Sequence, residues 1–235
     1  MRIAILSDIH GNLEALQAIS DSWDELWVLG DLVNYGPNPA EVVDFMRRNA
    51  ATVVRGNHDH AIGNGADPHC SPAFREMARA MQAYTESVLD EEQKAYLRNL
   101  PATAQREVDG KRFFLCHATP SDPLFRYGPR EPAFWAGELA AVNADVLLVG
   151  HTHLPFILDV NGQRVVNPGS VGQPKHGRSE ACYAVWEDGG ITLKLQPYNV
   201  ETTVGRMLGL PIEESIRQQL AGVLRSGAPP RQRML

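Results

Sequence analysis

Cysteine is scarce. Cys70, Cys116 and Cys182 are the only three, widely spaced, so the chain has no disulfide framework and no paired-thiol metal knuckle. That usage suits a reducing cytoplasm. Long apolar runs are missing too: no stretch can span a membrane, and the opening "MRIAILSDIHGN" turns polar too early for a secretory signal. Positive charge is not in excess, since 22 Lys and Arg against 28 Asp and Glu leave a formal net charge of −6. A role resting on a nucleic-acid polymer is therefore disfavoured. Internal repeats and low-complexity segments are also absent.

What remains is ordinary for a globular protein. The 235 residues are 43% hydrophobic and 21% charged, enough to bury a sizeable core. "RIAILSDI" is a short apolar run, as expected of a strand covered on both faces. "NLEALQAISDSW" follows with Leu13, Leu16 and Ile19 at helical spacing, then "DELWVLGDL" reads as a second strand. Asn38 and Pro39 open the helix "AEVVDFMRRN", which leads to the strand "ATVVRGN". A β-α-β-α-β start predicts parallel strands with helices on their faces.

From about residue 71 to 100 the pattern is helical. Phe74, Met77, Met81 and Tyr84 fall at three-and-four spacing, and Asp90 with Gln93 forms a capping-box signature. We expect a small helical cap here, inserted into one domain of residues 1–225, with 226–235 as a flexible tail. The second half is rich in hairpins, at Asp109-Gly110, Asn161-Gly162 and within "ACYAVWEDGGITLKLQPY". A helix in "EPAFWAGELAAVNA" and another near "IEESIRQQLAGVL" complete the pattern, which predicts an α/β fold with a second sheet packed on the first. Exposed hairpin edges offer a route to a homodimer.

Five strands run into residues that ligate metals. They carry Asp8 and His10 in "SDIH", Asp31 in "LGDL", Asn57 and His58 in "RGNHD", His117 in "LCH", and His151 and His153 in "VGHTH". Loops at the carboxyl ends of neighbouring strands converge on one rim. Taken singly, each of these histidines reads as an ordinary hydrogen-bonded residue. Crowded together, two carboxylates, an amide and several imidazoles call for cations. Oxygen and nitrogen donors without thiolate suit Mn²⁺, Fe or Zn²⁺, and so many ligands need two ions.

The segments "SDIHGN", "GDLVNYGPNP", "RGNHD", "CHATPSDP", "GHTH" and "VNPGSVGQP" resemble the calcineurin-like metallophosphoesterase superfamily, in particular its small bacterial and archaeal phosphodiesterases of the YfcE and MJ-type branch. The resemblance runs from Met1 to about Tyr198 and implies a four-layer α-β-β-α sandwich, two mixed sheets flanked by helices, with a dinuclear site at one edge. It further implies that Asp8, His10, Asp31 and His153 hold one divalent metal and that Asp31 bridges to a second, completed by Asn57, His117 and His151. Mn²⁺ is the foremost ion, with Fe, Zn or Ni as alternatives. His58 would stand beside the leaving group, with Asp59 orienting its imidazole. The implied activity is hydrolysis of a phosphoester, foremost a phosphodiester, by a hydroxide that two metals activate. Alternatives are a phosphomonoesterase or protein phosphatase, a dinucleoside-polyphosphate hydrolase, or a non-catalytic metal-binding scaffold.

Tyr35, Arg126, Tyr127, Lys175 and Arg178 lie in loops able to reach substrate, and Tyr35, Arg126 and Arg178 are carried as substrate-binding candidates. Asn167 and Ser170 are candidates to brace the site wall. His60, His69 and His176 fall outside the pattern. Cys116 alternates away from His117 and reads as core.

Overall fold

A computed structural model describes residues 1–230. Among the described residues, ten strands form two mixed sheets. The first contains β1 (Ile3–Leu6), β2 (Glu25–Val28), β3 (Thr52–Val53), β9 (Ala181–Glu187) and β10 (Gly190–Gln196), in the order β10-β9-β1-β2-β3. The second contains β4 (Thr103–Val108), β5 (Lys111–Cys116), β6 (Val146–Leu148), β7 (Phe156–Val160) and β8 (Gln163–Asn167), in the order β4-β5-β6-β8-β7. Strands β1, β2 and β3 are parallel, as are β5, β6 and β8, while β4, β7, β9 and β10 run antiparallel to their neighbours.

Side-chain alternation along the strands sets the layers. Ile3, Ile5, Trp27 and Leu29 face Phe113, Leu115, Val146 and Leu148 in one cluster between the sheets. The alternate residues Ala4, Leu6, Leu26 and Val28 pack under α1 (Leu13–Ala18) and α2 (Pro39–Asn49). On the far side, Cys116, Leu147 and Val165 pack against Trp135 and Leu139 of α6 (Pro132–Leu139). This is the expected four-layer arrangement.

Asn12 caps α1 by accepting from the Ala15 N–H at 3.2 Å, and Pro39 opens α2. Two helices were not foreshadowed by periodicity: α3 (Asn57–Asn64) and α7 (Val200–Leu208). The first begins at the Asn57-His58-Asp59 stretch, whose polar residues read as a loop and whose apolar content is only Ala61 and Ile62. Its support is tertiary, because it packs along α5 (Glu91–Asn99). Between them lies α4 (Arg75–Val88), whose Met77, Ala78 and Met81 join a cluster with Tyr35, α7 and α8 (Glu214–Ser226). Ser226 closes α8 rather than starting a tail, and residues 231–235 of the expected tail lie outside the described residues.

Candidate metal centre

The carboxyl ends of β1, β2, β3, β5 and β6 meet at one end of the sandwich. Asp8 and His10 follow β1, Asp31 follows β2, Asn57 and His58 open α3 just after β3, His117 follows β5, and His151 and His153 follow β6. All eight are buried. The backbone bends sharply to present them: Asp8, His10, Asp31, His151 and His153 all have positive φ, between 47° and 64°. Gly56 is needed at the β3–α3 junction, because a Cβ there would overlap the Asp31 carboxylate.

Two groups of three ligand atoms, Asp8 with His10 and His153, and Asp31 with His117 and His151, each lie within 4.8 Å of one another. Asp31 sits between them, its Oδ2 3.3 Å from His117 Nε2 and 3.7 Å from His10 Nε2. Asn57 joins the second group. Its Nδ2 donates to the Pro68 carbonyl at 2.7 Å, which turns Oδ1 to within 2.9 Å of His117 Nε2.

The tautomers of the four imidazoles follow from their outer partners. His10 Nδ1 meets the Val33 carbonyl at 3.0 Å, His117 Nδ1 the Leu29 carbonyl at 2.8 Å and His153 Nδ1 the Gln173 carbonyl at 2.6 Å. In His151 it is Nε2 that meets a carbonyl, that of Phe125, at 3.2 Å. A carbonyl only accepts, so each of these outer nitrogens carries the proton. Wherever these rings are neutral, the inner nitrogens present lone pairs inward: His10 Nε2 faces His153 Nε2 at 3.3 Å, and His151 Nδ1 faces His117 Nε2 at 3.1 Å. Asp8 Oδ1 is also buried without a hydrogen-bond partner among the described residues. Facing lone pairs beside an orphaned carboxylate oxygen are resolved by a cation, and outer N–H groups tied to backbone carbonyls are the usual support of metal-ligating histidines. The residues present therefore fit two ions.

The protein's own electrostatics show what such ions would relieve. Burial pushes the Asp8 carboxyl up to about 6 and His10 down to about 3, and it lowers His151 and His153 well below the ordinary histidine value. For His117, burial is outweighed by the adjacent Asp31 carboxylate, which raises it to about 9, so without metal its Nε2 holds a proton beside Asp31 that a cation would displace. Asp31 in turn is held well below its ordinary value, as its imidazole neighbours outweigh burial.

Several supports were legible only as fragments. Ser7 Oγ donates to Asp8 Oδ2 at 2.6 Å, Ser170 Oγ donates to the Asp8 carbonyl at 2.7 Å, and Asn167 Nδ2 donates to the Gly150 carbonyl at 2.7 Å. Asp59 departs from expectation, for its carboxylate makes no hydrogen bond to His58. It accepts from the backbone N–H groups of Asp31 at 2.8 Å, Leu32 at 2.8 Å and Gly56 at 3.0 Å. It thus caps the first turn of α3 and clamps it to the loop carrying Asp31. The His58 imidazole instead meets Asn34, at 2.7 Å.

A narrow pocket opens over the two groups, lined by His58, Tyr35, Phe74, Cys70, Tyr127 and Lys175 together with Asp31, Asn57, Ser71, His151 and His153. Tyr35 thus stands in the pocket wall, and the Lys175 ammonium sits over the Phe74 ring, 4.4 Å from its centroid. Tyr127 stacks on His151 with ring centroids 4.1 Å apart. The other two substrate candidates do not line this pocket. Arg126 donates to Glu138 Oε1 at 2.9 Å, and Arg178 is engaged by Glu180, two residues away. Those carboxylates neutralise both guanidinium groups. Cys116 is core, as its alternation suggested.

With this geometry in place, a model of the calcineurin-like phosphoesterase superfamily domain matches residues 1–188. Among solved structures, a metallophosphoesterase from Sphaerobacter thermophilus superposes with a TM-score of 0.80 at 32% identity, covering 97% of this chain and 99% of that one. Among curated proteins, the uncharacterised MJ0912 of Methanocaldococcus jannaschii is 28% identical across 82% of this chain and 85% of its own. The phosphodiesterase YfcE of Escherichia coli is 29% identical across 80% of this chain and 88% of its own. The chain belongs to the calcineurin-like phosphoesterase superfamily. It is accordingly a metal-dependent phosphoesterase, with two candidate metal-binding groups at one end of the sandwich.

Proposed function

We propose that Asp8, His10 and His153 hold one divalent cation, that Asn57, His117 and His151 hold another, that Asp31 lies between the two, and that the pocket above them hydrolyses a phosphodiester. The observation that supports this most is the inward convergence of four imidazole nitrogens on Asp8 and Asp31, each imidazole anchored from outside by a backbone carbonyl. Divalent ions held there would supply neutralisation of phosphoryl oxygens and acidification of a water. Mn²⁺ is the ion to load first, since oxygen and nitrogen donors without thiolate accept it readily.

The chain's own residues do the rest. The triads fix where the phosphoryl group sits, and Asp59 keeps Asp31 and the first turn of α3 in register. His58, on that first turn, stands in the pocket wall beside the ester oxygen that departs. Tyr35, Tyr127 and Phe74 shield the reacting group from bulk water.

Hydrolysis of a nitrophenyl phosphodiester and of the matching monoester tests this reading. Wild type and His58→Ala are stripped of metal and reloaded with Mn²⁺. The expected result is metal-dependent diester turnover that falls by about 10²–10⁴ in the variant, the usual reach of proton-transfer or hydrogen-bond help to a leaving group, with metal content unchanged. Reloaded protein that turns over neither ester would contradict the proposal. Monoester turnover alone would replace the diester by a phosphomonoester.

A further inference from the structure

Lys175 brings a positive charge to the pocket and finds no negative partner there. It lies in the loop between β8 and β9, which is pressed onto the rim. The Gly172 N–H donates to the Asp8 carbonyl at 3.0 Å, the Gln173 carbonyl accepts from His153 Nδ1 at 2.6 Å, and a Cβ on Gly172 would overlap the Ile9 carbonyl. The ammonium itself sits over the ring of Phe74, just before α4. A ring face attracts a cation but does not neutralise it. The side chain is half-buried, lines the pocket, and makes no ion pair or hydrogen bond among the described residues. Arg126 and Arg178 differ in this respect, being paired with Glu138 and Glu180. The carboxylates whose charge acts on Lys175 are Asp8 and Asp31. Two divalent cations held by the triads would more than neutralise both, and the ammonium would then face an excess of positive charge. Such a group calls for an anion from outside the protein.

We propose that Lys175 is a specificity-determining residue that binds a second anionic group of the substrate, so that the preferred phosphodiester carries a phosphate or carboxylate a few bonds from the scissile phosphorus. The inference rests on the hydrolysis proposed above. A simple dialkyl or diaryl phosphate carries a single negative charge, which the cations beneath the pocket already attract, and it leaves Lys175 unmatched. A pendant anion matches it. A lysine ammonium suits that task, because it is a compact point charge whose N–H donors meet phosphate or carboxylate oxygens from several directions. The loop that carries Lys175 is tied to Asp8 and His153, so the distance between this charge and the metal groups is set by the rim itself.

The test uses phosphinates, whose P–C bonds are not hydrolysed, so that binding is read apart from turnover. Dimethylphosphinate carries one anionic group, and its carboxymethyl and phosphonomethyl analogues, each keeping one methyl, carry a second. Dissociation constants are measured by calorimetry on Mn²⁺-loaded wild type and Lys175→Met, which keeps an apolar stem on Phe74. Lys175→Gln takes its place if the first variant does not hold two ions. The expected result is that wild type prefers the probes with a second anion, and that this preference falls by about 10-fold or more in the variant, as loss of a hydrogen bond between charged partners does. The analogue whose affinity falls further tells phosphate from carboxylate. A preference absent from wild type, or equal in wild type and variant, would overturn the role of Lys175. Equal weakening of all three probes would also overturn it, by putting the ammonium on the scissile phosphoryl group itself. A Lys175-dependent preference in protein that turns over no ester would keep that role and sink the hydrolysis, whereas turnover without such a preference would sink the specificity alone.

Discussion

The two ends of the sandwich use left-handed backbone in opposite ways. At one end lie the hairpin turns, where Asp109-Gly110, Asn161-Gly162 and Asp188-Gly189 each place a short polar residue and then a glycine at positive φ. Those residues adopt this conformation at little cost, and such turns match the twist of the strands. At the other end the same conformation is imposed on Asp8, His10, Asp31, Asn34, Tyr35, His151 and His153. For histidine and tyrosine this is a sparsely populated region, costing of order 1–3 kcal/mol per residue. The difference shows what the sheets are for. The apolar layers between and outside them hold one rim in a conformation its own residues disfavour, and the strain aims side chains at a shared point.

That contrast can be pressed from both ends. The largest expected effect is at the rim: Asp31→Asn removes the charge between the two triads, and the Mn²⁺-reloaded variant should show only background turnover with reduced metal content. Next comes a matched pair of glycine substitutions. Gly56→Ala drives a Cβ into the Asp31 carboxylate, whereas Gly162→Ala meets nothing within 4 Å and bears only its positive φ of 80°. Urea unfolding should place the first beyond 3 kcal/mol of destabilisation, as for overpacked buried sites (about 1–3 kcal/mol or more), and the second at about 1–2 kcal/mol, with turnover lost only in the first. Equal costs would erase the distinction between the two ends.

A third expectation has the opposite sign. Metal-free wild type buries Asp8 Oδ1 without a partner, 3.3 Å from the His153 Nε2 lone pair. In Asp8→Asn the new N–H can donate to that nitrogen. Scanning calorimetry on stripped protein should therefore show Tm rising, by about 2–4 °C for a gain near 1 kcal/mol, while turnover after reloading is lost. A fall in Tm would mean that the rim is not destabilised by its own function. Smallest of all, Arg126→Ala and Arg178→Ala should leave kcat/KM within about twofold, since Glu138 and Glu180 already engage these groups at the surface, where single changes usually matter little.

The same contrast explains what could be read from sequence. Hairpin turns announce themselves, because Asp-Gly and Asn-Gly between alternating strands have few other uses. The ligand residues were legible through strand-end spacing: Asp8 with His10 and His151 with His153 sit two apart, and the resemblance of the surrounding motifs ordered them. The β-α-β start followed from apolar runs, the second sheet from the hairpin-rich second half, and the four layers from the resemblance. Less visible was anything decided by tertiary contact. Helix α3 carries too few apolar residues to show a period, and it stands because α5 packs along it and Asp59 caps it. Asp59 neighbours His58 in sequence, but on a helix consecutive residues point about 100° apart, so its carboxylate reaches the Asp31 loop instead. Asn34, 24 residues before His58, gave no local sign of the hydrogen bond between them. Arg178 was misread although Glu180, its partner, lies two residues away.

The central claim is that the rim is built around two cations and is incomplete without them. Calorimetric titration of Mn²⁺ into stripped protein tests it most directly, with His10→Ala and His151→Ala alongside wild type. The account predicts two ions per wild-type chain and one fewer tight site in each variant, the two variants losing different sites. Binding of a single ion in wild type, or none, would contradict it.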